Sequence, residues 1–219
     1  MKSYFDQNRN KEILDRLRKH YPDAKIKLKF KTPFELLIAT ILSAKCTDDR
    51  VNIVTESLFK KYKKPVDYLK VSNEELEKDI FSTGFYKQKT KAIKECCQVL
   101  IDKYDGKIPQ DIDELTKIPG IGRKTASVVL GNAFGIPAIA VDTHVKRLSN
   151  IFHFVKEENP DKIEEQLKNI IPQDEWIVTC HRIATHGRLI CQAKKPKCEI
   201  CFLNDICPSA FKKNKRKSK

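Results

Sequence analysis

The sequence predicts an all-α fold on three observations. Apolar residues recur every three or four positions in segment after segment, no period-2 alternation lasts for the length of a strand, and helix boundaries are marked by Pro, Gly and capping side chains. Pro33 suits a first helical position, where its missing N–H costs nothing, and the apolar run behind it continues through Leu36, Leu37, Ile38, Ile41 and Leu42. From Asp48 to Tyr62, Val51, Val54, Leu58 and Phe59 stand at helical spacing. Ser72-Asn73-Glu74-Glu75 has the pattern of a capping box and opens a short helix ending at Ile80. Thr90 to Tyr104 sets Ile93, Cys97, Leu100 and Ile101 on one face, until Gly106-Lys107-Ile108-Pro109 breaks the helix. A short helix then spans Asp111 to Lys117.

The next boundary is the most informative stretch of the chain. In Ile118-Pro119-Gly120-Ile121-Gly122-Arg123-Lys124, two glycines flank a turn too sharp for bulky residues, and a helix of about Gly122 to Phe134 follows. The first amides of a helix have no internal partner, so this turn predicts an anion site suited to phosphate. The apolar stripe of the helix is Ala126, Val129, Leu130, Ala133 and Phe134. At ~100° per residue, Lys124, Ser127 and Gly131 fall on the opposite face, which aims Lys124 away from the core. Gly135-Ile136-Pro137 ends the helix, and Val141-Asp142-Thr143-His144 starts another with a carboxylate at its cap. An amine beside a phosphate cradle, with a carboxylate in play, fits chemistry on a sugar–phosphate backbone. On residues alone, however, a lysine on a basic helix is a phosphate contact and an Asp before a helix is an N-cap. The remaining helices run from Asp142 to Ile151, Pro160 to Ile170 and Gln173 to Leu189.

The 219 residues carry a formal charge of +14, so a polyanion is the leading partner class. The segment from Phe211 to Lys219 holds six basic residues and no acid, and the body of the chain stays basic without it. The length allows one large domain or two small ones. No apolar run approaches a membrane span and the first residues have no signal-like core, which predicts a cytoplasmic protein (nucleoid-associated if prokaryotic) with no membrane partner. Structural disulfides are then disfavoured. Cys46, Cys96, Cys97 and Cys180 fall in helical patterns and read as small buried residues.

The other four cysteines form a spaced set: Cys191-x6-Cys198-x2-Cys201-x5-Cys207, followed by Pro208. Four thiolates suit tetrahedral zinc or an iron–sulfur cluster. Zinc sites usually come as two close pairs, and only Cys198 and Cys201 are two apart here, so spacing favours iron–sulfur over zinc. Lys194, Lys195 and Lys197 inside the loop favour a structural centre that presents lysines to nucleic acid over a redox catalyst.

Taken together, the segment Leu115 to Lys124, the Val141-Asp142-Thr143-His144 segment and the cysteine loop occur in the order found in the endonuclease III family, which the chain resembles from about Tyr21 to Cys207. Glu35 to Ala44, the segment Gly84-Phe85-Tyr86 with Thr90-Lys91-Ala92, and His181 through His186-Gly187-Arg188 to Cys191 add to the resemblance. The family comprises base-excision DNA glycosylase/AP lyases of the helix–hairpin–helix superfamily. The resemblance implies two helical domains with the DNA cleft between them. A six-helix barrel of residues 26–135 would contain the helix–hairpin–helix at about 112–134. Residues 1–25 and 136–210 would form the cluster domain, with the cluster loop at 191–207, and 211–219 would be a disordered basic tail. It further implies a 4Fe–4S cluster on Cys191, Cys198, Cys201 and Cys207, and a monomer acting on double-stranded DNA that carries damaged bases, oxidised pyrimidines foremost, or abasic sites.

By motif, Lys124 would be the nucleophile and Asp142 the essential carboxylate. The damaged nucleotide is flipped out, the free amine attacks C1′ and expels the base to leave a Schiff base, and β-elimination cuts the strand 3′ to the abasic site. Asp142 would assist deprotonation and stabilise cationic character at the sugar. Pro119, Gly120, Ile121, Gly122, Arg123, His144, Lys194 and Lys195 would contact DNA, His144 serving equally well as packing. Two positions depart from the family. Lys45 stands where a Gln commonly fills the hole left by the flipped base, which leaves opposite-base preference open. Phe85 stands where a Leu commonly wedges the duplex, a role Phe can fill. A mismatch-adenine glycosylase, opposed by the presence of Lys124, a thymine-mismatch glycosylase and a non-catalytic DNA-binding module, opposed by the pairing of Lys124 with Asp142, are the rival readings.

Overall fold

The computed structural model describes residues 6–211; the tail expected at 211–219 lies, beyond Phe211, outside the described residues. Among the described residues every regular element is helical. The chain divides into two compact units, one of Ile26–Ala138 and one of the described residues of Met1–Lys25 and Ile139–Lys219.

The first unit holds α2 (Pro33–Leu42), α3 (Asp48–Lys61), α4 (Pro65–Lys70), α5 (Asn73–Ile80), α6 (Tyr86–Tyr104), α7 (Ile112–Thr116) and α8 (Arg123–Ala133), and the second opens on α1 (Gln7–His20). Thr32, Thr47, Ser72 and Asp111 each cap a helix of the first unit by accepting a backbone N–H, Ser72 as its capping-box pattern predicted. α2 runs through the middle of this unit. Its residues Phe34 and Leu36 to Leu42 are all buried, and it packs on α3, α6 and α8. The unit has seven helices, one more than the six delimited along its sequence. The extra one, α4, is six residues long, with Pro65 at its start and Asp67 Oδ2 reaching back to accept from the amides of Lys63 and Lys64 at 2.9 Å each. It is too short to show a 3.6-residue stripe. α6 starts at Tyr86, four residues before the expected Thr90, because a left-handed Phe85 opens it where polar Lys87 and Gln88 hide the apolar period.

Two burial expectations fail. Ser127 and Gly131 of α8 are buried, as is everything from Ala126 to Gly131, so only the first turn of that helix has an exposed face. Cys96, Cys97 and Cys180 are buried as expected, whereas Cys46 is half-buried in the turn after α2, outside any helix.

In the second unit α9 (Thr143–Ile151), α10 (Pro160–Lys168) and α11 (Trp176–Leu189) follow, the last preceded by a 3-10 turn at Gln173–Glu175. Ile13, Leu17, Leu148, Phe152, Phe154, Ile163, Leu167 and Ile183 form its core, each 0–1 % exposed. α1 packs on α11, and its Arg16 binds the cysteine loop by donating to the Phe202 carbonyl at 2.9 Å and to both carboxylate oxygens of Asp205 at 2.6 and 3.0 Å.

Candidate functional site

The turn before α8 is a type II β-turn, and each of its residues has a reason. The Ile121 amide donates to the Ile118 carbonyl at 3.1 Å, Pro119 supplies the fixed φ of the second position, and Gly120 the positive φ (80°) of the third. A Cβ on Gly120 would stand 3.0 Å from Ala92 Cβ of α6, so both conformation and space demand glycine. Ile118 and Ile121 are buried, at 1 % and 4 % exposure, and pin the turn from inside while Pro119 and Gly120 face solvent. With its side chain turned inward, Ile121 offers a ligand its backbone. Gly122 is the N-cap of α8 with φ −87°, and a Cβ there would meet nothing within 4 Å, so glycine is not sterically required at this position. What Gly122 does is leave α8 without a side-chain cap, and no acid stands in the first turn. Amides at that helix start remain directed at an incoming anion. Lys124 is exposed on this first turn and Arg123 is half-buried beside it.

Asp142 is the N-cap of α9. Its Oδ1 accepts from the amides of His144 and Val145 at 2.8 and 2.7 Å, so the structural role weighed from sequence is real. His144 packs against α11: a Cβ on Gly187 would lie 2.8 Å from His144 Nδ1, and Gly187 is what lets the two helices approach here.

Lys45 and Phe85, forty residues apart in sequence, come together. Lys45 Nζ lies 4.9 Å from the Phe85 ring centroid, and both side chains are exposed, Phe85 at 54 %, so Phe85 is no core residue. Their backbones are left-handed, at φ 53° and 51°, which costs about 1–2 kcal/mol per non-glycine residue. They share a hollow with Ala44, Gln88, Gly120 and Thr125. Candidate duplex-probing residues and the glycine turn thus line one concavity.

The four cysteines ring a common cavity with Phe152, His186 and Leu203 in its wall. Among the described residues no three His, Cys, Asp or Glu are placed to hold one metal ion. Four thiols around one shared space are a donor set that fits an iron–sulfur centre. Burial pushes the Cys207 thiol up to about 11 and raises those of Cys191 and Cys201 as well, so thiolates here need a cationic centre to offset desolvation. Two residues to which the sequence assigned no site role reach the sulfurs. Arg147 Nη1 donates to Cys191 Sγ at 3.8 Å, and His186 Nε2 lies 3.7 Å from Cys201 Sγ with its Nδ1 3.1 Å from the Tyr21 hydroxyl. Burial, aided by Arg147, lowers His186 to about 4, so its ring is neutral at neutral pH. A thiolate at Nε2 then requires the N–H there, with Tyr21 donating to Nδ1. Neither residue stands at ligand spacing, which is why the sequence did not reveal them. Lys194 and Lys195 are exposed on the same loop.

Comparison with known proteins places this arrangement. Residues 38–173 match the family model of the HhH-GPD superfamily base excision DNA repair protein, and residues 191–207 match the iron–sulfur binding domain of endonuclease III. The endonuclease III of Bacillus subtilis (strain 168) is 45% identical over 204 residues, covering 93% of each chain. A solved structure of a trapped endonuclease III–DNA covalent intermediate is 48% identical with a TM-score of 0.91, covering 94% of this chain and 97% of that one. The structure of a thermostable thymine-DNA glycosylase is 25% identical with a TM-score of 0.84, covering 92% and 96%. The fold and motifs define a base-excision repair enzyme of the helix–hairpin–helix class. Within that class the chain belongs to the endonuclease III family, whose members are DNA glycosylases with abasic-site lyase activity, and its cysteine loop is that family's iron–sulfur binding domain. Cys191, Cys198, Cys201 and Cys207 are the thiols that would hold the 4Fe–4S cluster, which when bound crosslinks a loop otherwise short of regular structure.

Proposed function

We propose that this enzyme binds double-stranded DNA as a monomer and removes damaged bases, oxidised pyrimidines foremost, with Lys124 as nucleophile and Asp142 as the essential carboxylate. The observation that carries the reading is an exposed lysine on the first turn of an uncapped helix, directly behind a type II glycine turn. A purely structural helix start has no use for that combination. The relative trapped as a covalent intermediate with DNA supports a covalent mechanism.

In the proposed sequence the phosphates beside the extruded nucleotide lie on the α8 amides, with Pro119, Gly120, Gly122 and Arg123 lining the approach. The lone pair of the neutral Lys124 amine forms a bond to C1′ as the C1′–N bond of the base breaks. The base leaves with that bonding pair and takes up a proton. Loss of the amine proton and ring opening give an imine at C1′. Removal of a C2′ proton then expels the 3′ phosphate by β-elimination, and water releases Lys124. Asp142 places negative charge where cationic character develops at the sugar. Lys45 and Phe85 enter the duplex at the vacated position, and Lys194 and Lys195 hold backbone phosphates.

No helix among the described residues is long and apolar enough to cross a membrane. We place the activity in the compartment that holds the DNA, the cytoplasm with its nucleoid in a prokaryotic cell. Mismatched thymine is a second candidate substrate, favoured by Lys45 and by the likeness to the thymine-DNA glycosylase.

Borohydride reduction tests the mechanism, because hydride converts the imine to a stable secondary amine linking protein and DNA. The wild type is expected to crosslink to duplexes with an abasic site or an oxidised pyrimidine, and Lys124→Ala is expected to give no crosslink. Crosslinking that survives the substitution overturns Lys124 as nucleophile, and none with the wild type favours a binding module. Duplexes varied in damaged base and in opposite base then separate oxidised pyrimidine from mismatched thymine.

A further inference from the structure

A buried lysine ties together the two loops that carry Lys45 and Phe85. Lys89, on the first turn of α6, is 4 % exposed. Its ammonium donates to the Leu42 carbonyl at 2.7 Å and to the Thr83 carbonyl at 2.8 Å. Leu42 is the last residue of α2, three positions before Lys45; Thr83 precedes Gly84 and Phe85. Each bond therefore ends just upstream of a left-handed backbone: φ 53° at Lys45 on one side, φ 70° and 51° at Gly84 and Phe85 on the other.

A cation at the C-terminal end of a helix satisfies an orphan carbonyl and is favourable there. That accounts for the bond to Leu42 but not for the bond to Thr83 or for the burial. Burial disfavours the charged form of Lys89, partly offset by the nearby Cys46 thiol. An exposed lysine or a water would cap α2 without desolvating an ammonium. The gain specific to this arrangement is that one rigid group holds two chain segments forty residues apart. Non-glycine residues stay left-handed only where their surroundings over-determine them.

We infer that Lys89 is a positioning residue: by bonding Leu42 and Thr83 at once, its ammonium holds the Lys45 and Phe85 loops in the backbone conformation and at the separation with which they enter duplex DNA together. The inference rests on the reading above that these two side chains occupy the duplex when a nucleotide is extruded. A wedge and a filler that move independently would lose the orientation of both.

The test compares wild type, Lys89→Met and Lys89→Gln by two readouts. The first is amide hydrogen exchange of the DNA-free protein. Lys89→Met is expected to accelerate exchange in residues 43–46 and 83–86 while α8 and the cysteine loop stay as in the wild type; unchanged exchange in both loops overturns the clamp. The second is single-turnover excision of one oxidised pyrimidine, either opposite a normal base or opposite an abasic position, where no partner base is left to hold. Lys89→Met is expected to lose about a hundredfold on the paired lesion, the scale of a misplaced positioning group, and far less on the unpaired one. Equal losses on both substrates mean a general structural defect and overturn the inference. Should Lys89→Met fail to fold, Lys89→Gln keeps a donor but is too short to reach both carbonyls, and an unchanged paired-to-unpaired ratio in it is equally decisive. Failure of the wild type to excise any damaged base would refute the proposed substrate, while the exchange arm would still report on the clamp.

Discussion

At the start of α9 the amides of His144 and Val145 are taken by Asp142 Oδ1; at the start of α8 Gly122 holds the N-cap and no side chain caps the helix. Both helices follow short irregular segments and both carry a residue proposed for the chemistry. Asp142 satisfies its own helix, so its position is set by the fold before any ligand arrives. Lys124 stands on a helix with no side-chain cap, whose first amides are proposed to meet phosphate. A cap is worth about 0.5–2 kcal/mol. With glycine at its N-cap α8 forgoes only a few tenths of a kcal/mol, so the contrast with α9 lies less in stability than in the amides left open, the feature on which the proposed phosphate contact rests.

The comparison can be broken most sharply at Asp142. Lys124→Ala removes the bond-forming atom and is the all-or-none control. Asp142→Asn keeps a capping oxygen of equal quality but no charge, so excision is expected to fall by about 10²–10³-fold with the melting temperature nearly unchanged. Asp142→Ala should show the same catalytic loss plus about 1 kcal/mol of destabilisation, read as a shift of about 2–4 °C in melting temperature. An Asn variant with full activity would reduce Asp142 to a cap.

The next effect is at the turn. Gly120→Ala places a Cβ on a residue at φ 80° and 3.0 Å from Ala92 Cβ, and is expected to cost about 1–3 kcal/mol in denaturant unfolding and to weaken duplex binding. The smallest, and the most direct test of the contrast, is Gly122→Ser. With nothing within 4 Å of its Cβ it should fold normally, gain a few tenths of a kcal/mol from a new cap (about 0.3) and lose roughly three- to tenfold in duplex affinity as its hydroxyl competes for an amide that would meet phosphate, on the order of 1 kcal/mol. Tighter binding by this variant would mean that the α8 amides do not meet a phosphate.

Much of this was legible along the chain. Ser72 and Asp142 cap the helices whose starts they marked, and Gly120 has the positive φ its turn required. The cysteine loop was legible because ligand spacing is a local property, and it matches an iron–sulfur binding domain over residues 191–207. Gly122 does not need to be glycine for its turn, and a glycine that merely leaves a helix start uncapped looks the same in sequence as one required by backbone conformation. The stripe on α8 misled beyond the first turn, because Ser127 and Gly131 are small enough to be buried without signalling it.

The sequence by itself determined the helices, their caps, the glycine turn and the set of four cysteines, since each depends on residues a few positions apart and on the preferences of the backbone between them. Only the tertiary structure decided that Lys45 and Phe85 meet, that Lys89 is buried beneath both loops, and that His186 and Arg147 reach the sulfurs of Cys201 and Cys191. Apart from the Lys89–Thr83 bond, those contacts join positions fifteen to forty-seven residues apart. They arise from helix packing, which carries no local period for a sequence to display.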